Sequence, residues 1–154
     1  LGAQKTIWLG EGVAGDDTDG HIDDIARFVA PDTVLCAVEE DPADENYALL
    51  RENADRLRAE TIHGGRPMRV IELPMPARVD APDGRRLPAS YANFYIGNTT
   101  VLVPTFRCAN DERALETVRS QFRDKKVVGI DCVDLVHGLG TLHCISQQQP
   151  AEWK

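Results

Sequence analysis

Several things are missing from this chain of 154 residues. No uninterrupted apolar run approaches the roughly 20 residues that a membrane helix needs, so no membrane association is expected. No basic stretch leading into an apolar one opens the chain, as a secretory leader would. Basic residues are in deficit: 17 Lys and Arg stand against 25 Asp and Glu, a formal net charge of −8. That balance disfavours nucleic acid and anionic membranes, both of which demand basic surface, and it suits a small cationic substrate. The 4 cysteines, Cys36, Cys108, Cys132 and Cys144, form no close spacing. A disulfide framework is therefore not expected, and reduced thiols in a cytoplasmic setting are. The first residue is Leu1, which fits a start inside a longer product.

Phosphate-cradling and dinucleotide-binding glycine motifs are also absent. Metal spacings fare no better. Cys132, His137, His143 and Cys144 lack the paired close spacing of structural zinc sites. Asp17, Asp19 and Asp23 resemble part of a calcium loop, but Gly20 directly follows the second aspartate and no glutamate closes the set. No metal is expected.

What is present is an alternation of strand and helix signals. Thr6–Leu9 reads as a short buried strand, followed by a loop rich in glycine and aspartate. Apolar residues resume at Ile22, Ile25, Ala26, Phe28 and Val29. Thr33–Val38 is β-branched and apolar enough for a central strand. A helix is predicted from Pro42 to about Thr61, with Tyr47, Leu50, Ala54 and Leu57 on one face and Gly64-Gly65 as its stop. Val70–Leu73 follows as a strand, and Pro74–Pro88 as a long exposed loop. Tyr91–Ile96 and Thr99–Phe106 flank a Gly97-Asn98 turn as a hairpin. Asp111–Phe122 is a second helix, and Lys126–Ile130 and Leu142–Ser146 are the last strands. The order strand–strand–helix–strand thus occurs twice, in an α/β (α+β) chain whose units need neighbours of their own kind.

Two stretches carry chemistry. The first is Gly15-Asp16-Asp17-Thr18-Asp19-Gly20-His21-Ile22-Asp23. On extended backbone His21 and Asp23 share a face, so a carboxylate could hold a cation while an imidazole moves protons. A solvated acidic loop is the plain alternative. The second stretch, Gly138-Leu139-Gly140-Thr141-Leu142-His143-Cys144, sets a thiol where a glycine turn meets a strand. Free cysteines are more often packing groups, and Cys36 reads as one. The turn and the polar Ser146–Gln149 run argue for a nucleophile at Cys144.

With Trp8-Leu9, Ala26-Arg27-Phe28, Ala89-Ser90-Tyr91-Ala92-Asn93-Phe94, Val103-Pro104-Thr105-Phe106 and His143-Cys144-Ile145-Ser146-Gln147-Gln148-Gln149-Pro150, these stretches resemble the agmatine deiminase and bacterial peptidylarginine deiminase family nearly end to end. The resemblance implies a pentein-type five-bladed α/β propeller of ββαβ units. Residues 1–154 would be a single domain or fragment matching its C-terminal half, about two blades plus part of a third. It implies hydrolysis of a guanidinium C–N bond with release of ammonia through a cysteine thiouronium intermediate, linked to putrescine biosynthesis. Cys144 would be the nucleophile, His21 the general acid and then base, and Asp23 a guanidinium-binding carboxylate. Asp17, Asp19, Asn93 and Gly140 would line the substrate, which is agmatine or an arginine side chain, and no cofactor is called for.

The resemblance also marks departures. The family draws a second guanidinium-binding aspartate and a glutamate partner for the histidine from an N-terminal half with no counterpart in this sequence. Leu139 interrupts what is usually a run of glycines; a left-handed backbone there would strain it. A non-catalytic, deiminase-derived module that self-associates or pairs with another chain is the alternative function. A homo-oligomer or a separate N-terminal half is the expected partner, since open blades leave strand edges to be paired.

Overall fold

A computed structural model describes residues 5–18, 20–62 and 64–149. After one helical turn, α1 (Ile22–Ile25), the chain runs β1 (Ala26–Ala30), β2 (Thr33–Val38), α2 (Asn46–Ala59) and β3 (Arg69–Pro74). It then repeats that order as β4 (Tyr95–Ile96), β5 (Thr100–Thr105), α3 (Asn110–Gln121) and β6 (Lys126–Asp131). A 3-10 turn, Leu135–Gly138, follows. The chain is thus α/β with two mixed three-stranded sheets, ordered β1-β2-β3 and β4-β5-β6.

Each sheet pairs its first two strands antiparallel and its last two parallel, because the connection between the parallel pair is a helix. The middle strand β2, Thr-Val-Leu-Cys-Ala-Val, has neighbours on both edges and packing on both faces, which is why its apolar run is uninterrupted. In α2, Leu50, Ala54 and Leu57 recur at helical spacing and are buried. Val34, Cys36, Ala37, Leu50, Ala54 and Leu57 belong to one buried cluster, drawn from the first unit. A second cluster holds Phe94, Val101, Val103, Ala114, Leu115 and Val118 from the second unit, together with Leu35 and Leu73 from the first.

Several sequence expectations are corrected. Thr6–Leu9 is not a strand, and Trp8 is 81 % exposed. The reason lies in α2, where two buried asparagines take over the backbone of the next few residues. Asn53 accepts a bond from the Gly10 N–H (2.6 Å) and donates to the Glu11 carbonyl (2.8 Å), and Asn46 accepts from the Ala14 N–H (2.7 Å). Helix α2 also starts later than Pro42, which sits in a turn pinned by Asp41 and Asp44 side chains. It ends at Ala59, five residues before Gly64. The glycine pair serves instead a tight turn at positive φ, closed by a Thr61–Pro67 bridge.

Pro74–Pro88 is exposed only in its middle. Met75 and Leu87 are buried, and backbone bonds fold Val79–Leu87 into a small hairpin. Its arginines are committed: Arg86 to Asp44 (2.8 Å) and Glu45 (3.0 Å), Arg85 to Asp83 (2.7 Å), and Arg78 to Asp80 (2.7 Å). Leu142–Ser146 is a turn and not a strand, with Ile145 N–H bonded to the Thr141 carbonyl and Ser146 N–H to that of His143.

Candidate active site

Three segments without regular structure converge: residues 15–18 and 20–21 of the acidic stretch leading into α1, the stretch Ala89–Phe94, and the turn Thr141–Ser146. The middle one is the brace. Ser90 donates to the Asp24 carbonyl (2.7 Å), and Arg27 donates to the Phe94 carbonyl (2.7 Å) while lying 4.9 Å over the Phe94 ring. Arg27 is buried enough that its guanidinium falls below its usual pKa, although Asp23, Cys144 and Asp24 all favour its charge.

Asn93, fully buried, is the hub. Its Oδ1 accepts from the Thr141 hydroxyl (2.9 Å) and the His143 N–H (3.0 Å), which shapes the cysteine turn. Its Nδ2 faces Asp24 Oδ1 (2.9 Å), Cys144 Sγ (3.0 Å) and Asp23 Oδ2 (3.1 Å). An amide has two hydrogens for those three acceptors, so one must be satisfied otherwise. The thiol supplies the remedy by donating its own proton to Asp23 Oδ2, 3.4 Å away. Asn93 therefore orients the thiol and shows no exposed amide, whereas the sequence reading placed it against substrate.

Cys144 is exposed, yet its sulfur is crowded on one side. A Cβ on the buried Gly140 would lie 2.7 Å from Cys144 Sγ, so only glycine leaves room for the sulfur. Desolvation pushes the Cys144 thiol above its ordinary pKa; the Asn93 amide opposes this, and the charges of Asp23 and Asp24 add to it. The glycine-like position is one residue earlier: Leu139 adopts φ 63, ψ 27, the left-handed conformation that the sequence flagged as strained.

Asp23 Oδ2 is where the thiol meets the His143 ring, whose Nδ1 lies 2.6 Å away. Burial works to raise the Asp23 pKa, but the bonds from His143 and Cys144 outweigh it and hold the carboxyl below its usual range. His143 and Cys144 thus act on one oxygen. On the predicted strand they would have faced apart.

His21 stands elsewhere. It caps α1 with extended backbone (φ −78, ψ 120), and the helical turn beginning at Ile22 ends the strand-like alternation that placed it on the face of Asp23. Its partners are Asp16, at 2.9 Å from Nδ1 and 2.6 Å from the backbone N–H, and the Thr18 hydroxyl. No hydrogen bond joins His21 to Cys144 among the described residues. Asp17 is exposed, and Asp19 lies outside the described residues.

Sequence reading gave no role to Asp24 or Arg27, and it weighed His143 only as a zinc ligand. Asp24 is 1 % exposed, next to the buried Ile25 on the same helical turn. Its carboxyl is pushed up to about 7, chiefly by burial and then by the Asp23 charge.

The family model described as Porphyromonas-type peptidyl-arginine deiminase matches residues 1–150. A Legionella pneumophila (strain Paris) protein named for agmatine deiminase is 40% identical over 155 residues, covering 100% of this chain and 44% of its own length. The solved agmatine deiminase of Enterococcus faecalis matches with a TM-score of 0.85 and 37% identity over 94% of this chain and 44% of that one. C. jejuni agmatine deiminase matches with a TM-score of 0.79 and 34% identity, over 90% of this chain and 40% of that one. The chain therefore spans less than half the length of these relatives, and its sheets are those of the agmatine deiminase fold. Among the described residues no helix is long and apolar enough to cross a membrane.

Proposed function

The chain belongs to the Porphyromonas-type peptidyl-arginine deiminase family, and from that premise we propose that it carries the nucleophile-bearing part of a guanidine deiminase site. In this reading residues 1–154 are the C-terminal half of a five-bladed propeller. The two ββαβ units are two blades, and the segment ahead of α1 belongs to a third.

The observation that carries the reading is the 3.4 Å approach of Asp23 Oδ2 to Cys144 Sγ. A guanidinium is a planar cation with several N–H donors, and a carboxylate grips it through charge-assisted bonds. Docked on Asp23, it sets its carbon beside the sulfur. It also brings a positive charge to a thiol whose ionisation two carboxylates oppose, so the substrate itself favours the thiolate. The sulfur attacks the guanidinium carbon and forms a C–S bond. His21, in its protonated form, gives a proton to the departing nitrogen, and ammonia leaves a thiouronium. His21 then takes a proton from water, the resulting hydroxide adds to the carbon, and the C–S bond breaks to give a ureido product and free thiol. Asp16 fixes the ring for this work, as the glutamate partner does in the resemblance.

Agmatine and the arginine side chain both present this group, and both are substrates in the proposal. A second reading, a non-catalytic module that pairs with another chain, is favoured by one observation: Asp23 is the one carboxylate within hydrogen-bond reach of Cys144 among the described residues. A singly held guanidinium is bound with half its donors unmatched.

Ammonia release from agmatine by the purified chain, with Cys144→Ala as control, tests this. Release that disappears in the variant supports the deiminase reading. A folded chain that releases none, alone or with the N-terminal half of a relative added, overturns it in favour of the module.

A further inference from the structure

Next to the thiol lies a second cluster that the proposed chemistry uses only in part. Ligand atoms of Asp16, His21 and Asp24 all lie within 4.8 Å of one another. The three residues belong to one loop and the helical turn it enters, so the arrangement is set locally. Asp16 is locked by the His21 N–H (2.6 Å) and the Thr18 N–H (3.1 Å), and its side chain is 2 % exposed. Asp24 is 1 % exposed; its Oδ1 takes the Asn93 amide, and its Oδ2 is buried without a hydrogen-bond partner. A buried carboxylate oxygen with no donor is costly, and it calls for a cation or a proton donor.

We infer that Asp16, His21 and Asp24 form a binding site for a divalent cation of borderline character, Zn2+ in the first instance, and that its occupation inhibits the enzyme. The donor set selects the ion. One imidazole and two carboxylates suit Zn2+ and its neighbours, whereas Mg2+ and Ca2+ seek all-oxygen shells. A tetrahedral ion with bonds of about 2 Å holds its ligands about 3.3 Å apart, so modest side-chain movement closes the set and leaves a fourth position for water. The ion takes the Asp24 oxygen that lacks a donor and the imidazole nitrogen now beside Asp16. A metal-bound His21 has lost a lone pair it needs for proton transfer, so the cation blocks turnover. That inhibitory half rests on the deiminase reading; the binding half does not.

The test is calorimetric titration of Zn2+ into the Cys144→Ala chain, where the exposed thiol cannot supply a ligand. The expected result is one ion per chain, with binding weakened at least tenfold in the further variants Asp24→Asn and His21→Ala. Circular dichroism checks that each variant is folded. Because Asp24 is buried, Co2+ added to the unaltered chain gives a second reading: visible bands without a thiolate charge-transfer band are expected. Equal affinity in a folded Asp24→Asn chain, or a charge-transfer band that Cys144→Ala removes, overturns the site. Inhibition is read separately, as ammonia release slowed by Zn2+ in the unaltered chain and at least tenfold less sensitively in Asp24→Asn. A chain that binds Zn2+ but never releases ammonia counts against the deiminase reading alone. Release that Zn2+ at saturation leaves unchanged overturns the inhibitory half.

Discussion

Replacing Asp23 by asparagine sets two consequences of one carboxylate against each other. The Asp23 charge sits 3.4 Å from Cys144 Sγ and, after desolvation, adds to what raises the thiol's pKa. Coulomb's law gives about 1 kcal/mol for two unit charges at that separation in a water-like medium, and about 5 at an effective dielectric constant of 20. Cys144 is exposed, so the lower figure governs, and about 1.4 kcal/mol is one pKa unit. Asp23→Asn should therefore lower the Cys144 pKa by roughly one unit. At a pH below both values the thiolate fraction rises about tenfold, while the weaker nucleophilicity of a more acidic thiol returns about a factor of three, leaving a net gain of about threefold. The assay is reaction with dipyridyl disulfide across pH, taken as the difference from a Cys144→Ala counterpart, because Cys108 is also partly accessible. In the same variant, ammonia release should vanish, since the group that grips the guanidinium is gone. A more reactive thiol in a dead enzyme is the signature. A pH midpoint unchanged or higher in Asp23→Asn would refute the electrostatic argument whatever happens to turnover.

Three further perturbations test neighbouring features. Gly140→Ala places a methyl 2.7 Å from Cys144 Sγ; it should cost about 1–3 kcal/mol in urea unfolding, and turnover should drop about a hundredfold as the thiol is displaced. At Leu139, whose φ is 63, glycine should leave stability within about 1 kcal/mol because relieved strain offsets lost packing, whereas valine should cost about 2 kcal/mol; thermal melts of the pair would decide. Arg86→Met leaves the largely buried Asp44 without its cation and should cost about 1–3 kcal/mol at pH 7. Burial tends to raise the Asp44 pKa, but Arg86 and the Asn46 N–H hold it below the ordinary carboxylate value. The stability it contributes is present above about pH 4 and lost as pH falls through its lowered pKa, so the gap between the two chains should narrow progressively below about pH 4 in urea titrations.

The repeating architecture was legible because it rests on periodicity. Thr33–Val38 is a strand at the predicted bounds, and Asp111–Phe122 is a helix within one residue at each end. Irregular backbone was not legible. Thr6–Leu9 and Leu142–Ser146 have the composition of strands, but among the described residues neither has a strand to pair with. The backbone just after Leu9 goes to asparagine side chains, and that of Leu142–Ser146 goes to a turn, partners that composition does not encode. The thiol and the acidic loop stood out from glycine and aspartate spacing alone. The hub at Asn93 did not, because its importance lies in contacts some 50 to 70 residues away in sequence.

The two buried clusters are unequal in what they require. The helix-side core of the first unit is filled by residues from Val13 to Met75, so it can close as soon as that stretch of chain exists. The core around α3 includes Leu35 and Leu73, which lie on the opposite face of the first sheet from Val34 and Cys36. The earlier unit thus offers a finished surface on which the later one condenses, a hierarchy that follows the direction of synthesis. Loosening α3 should leave the first sheet's amides protected from hydrogen exchange, whereas loosening α2 should release the amides of both.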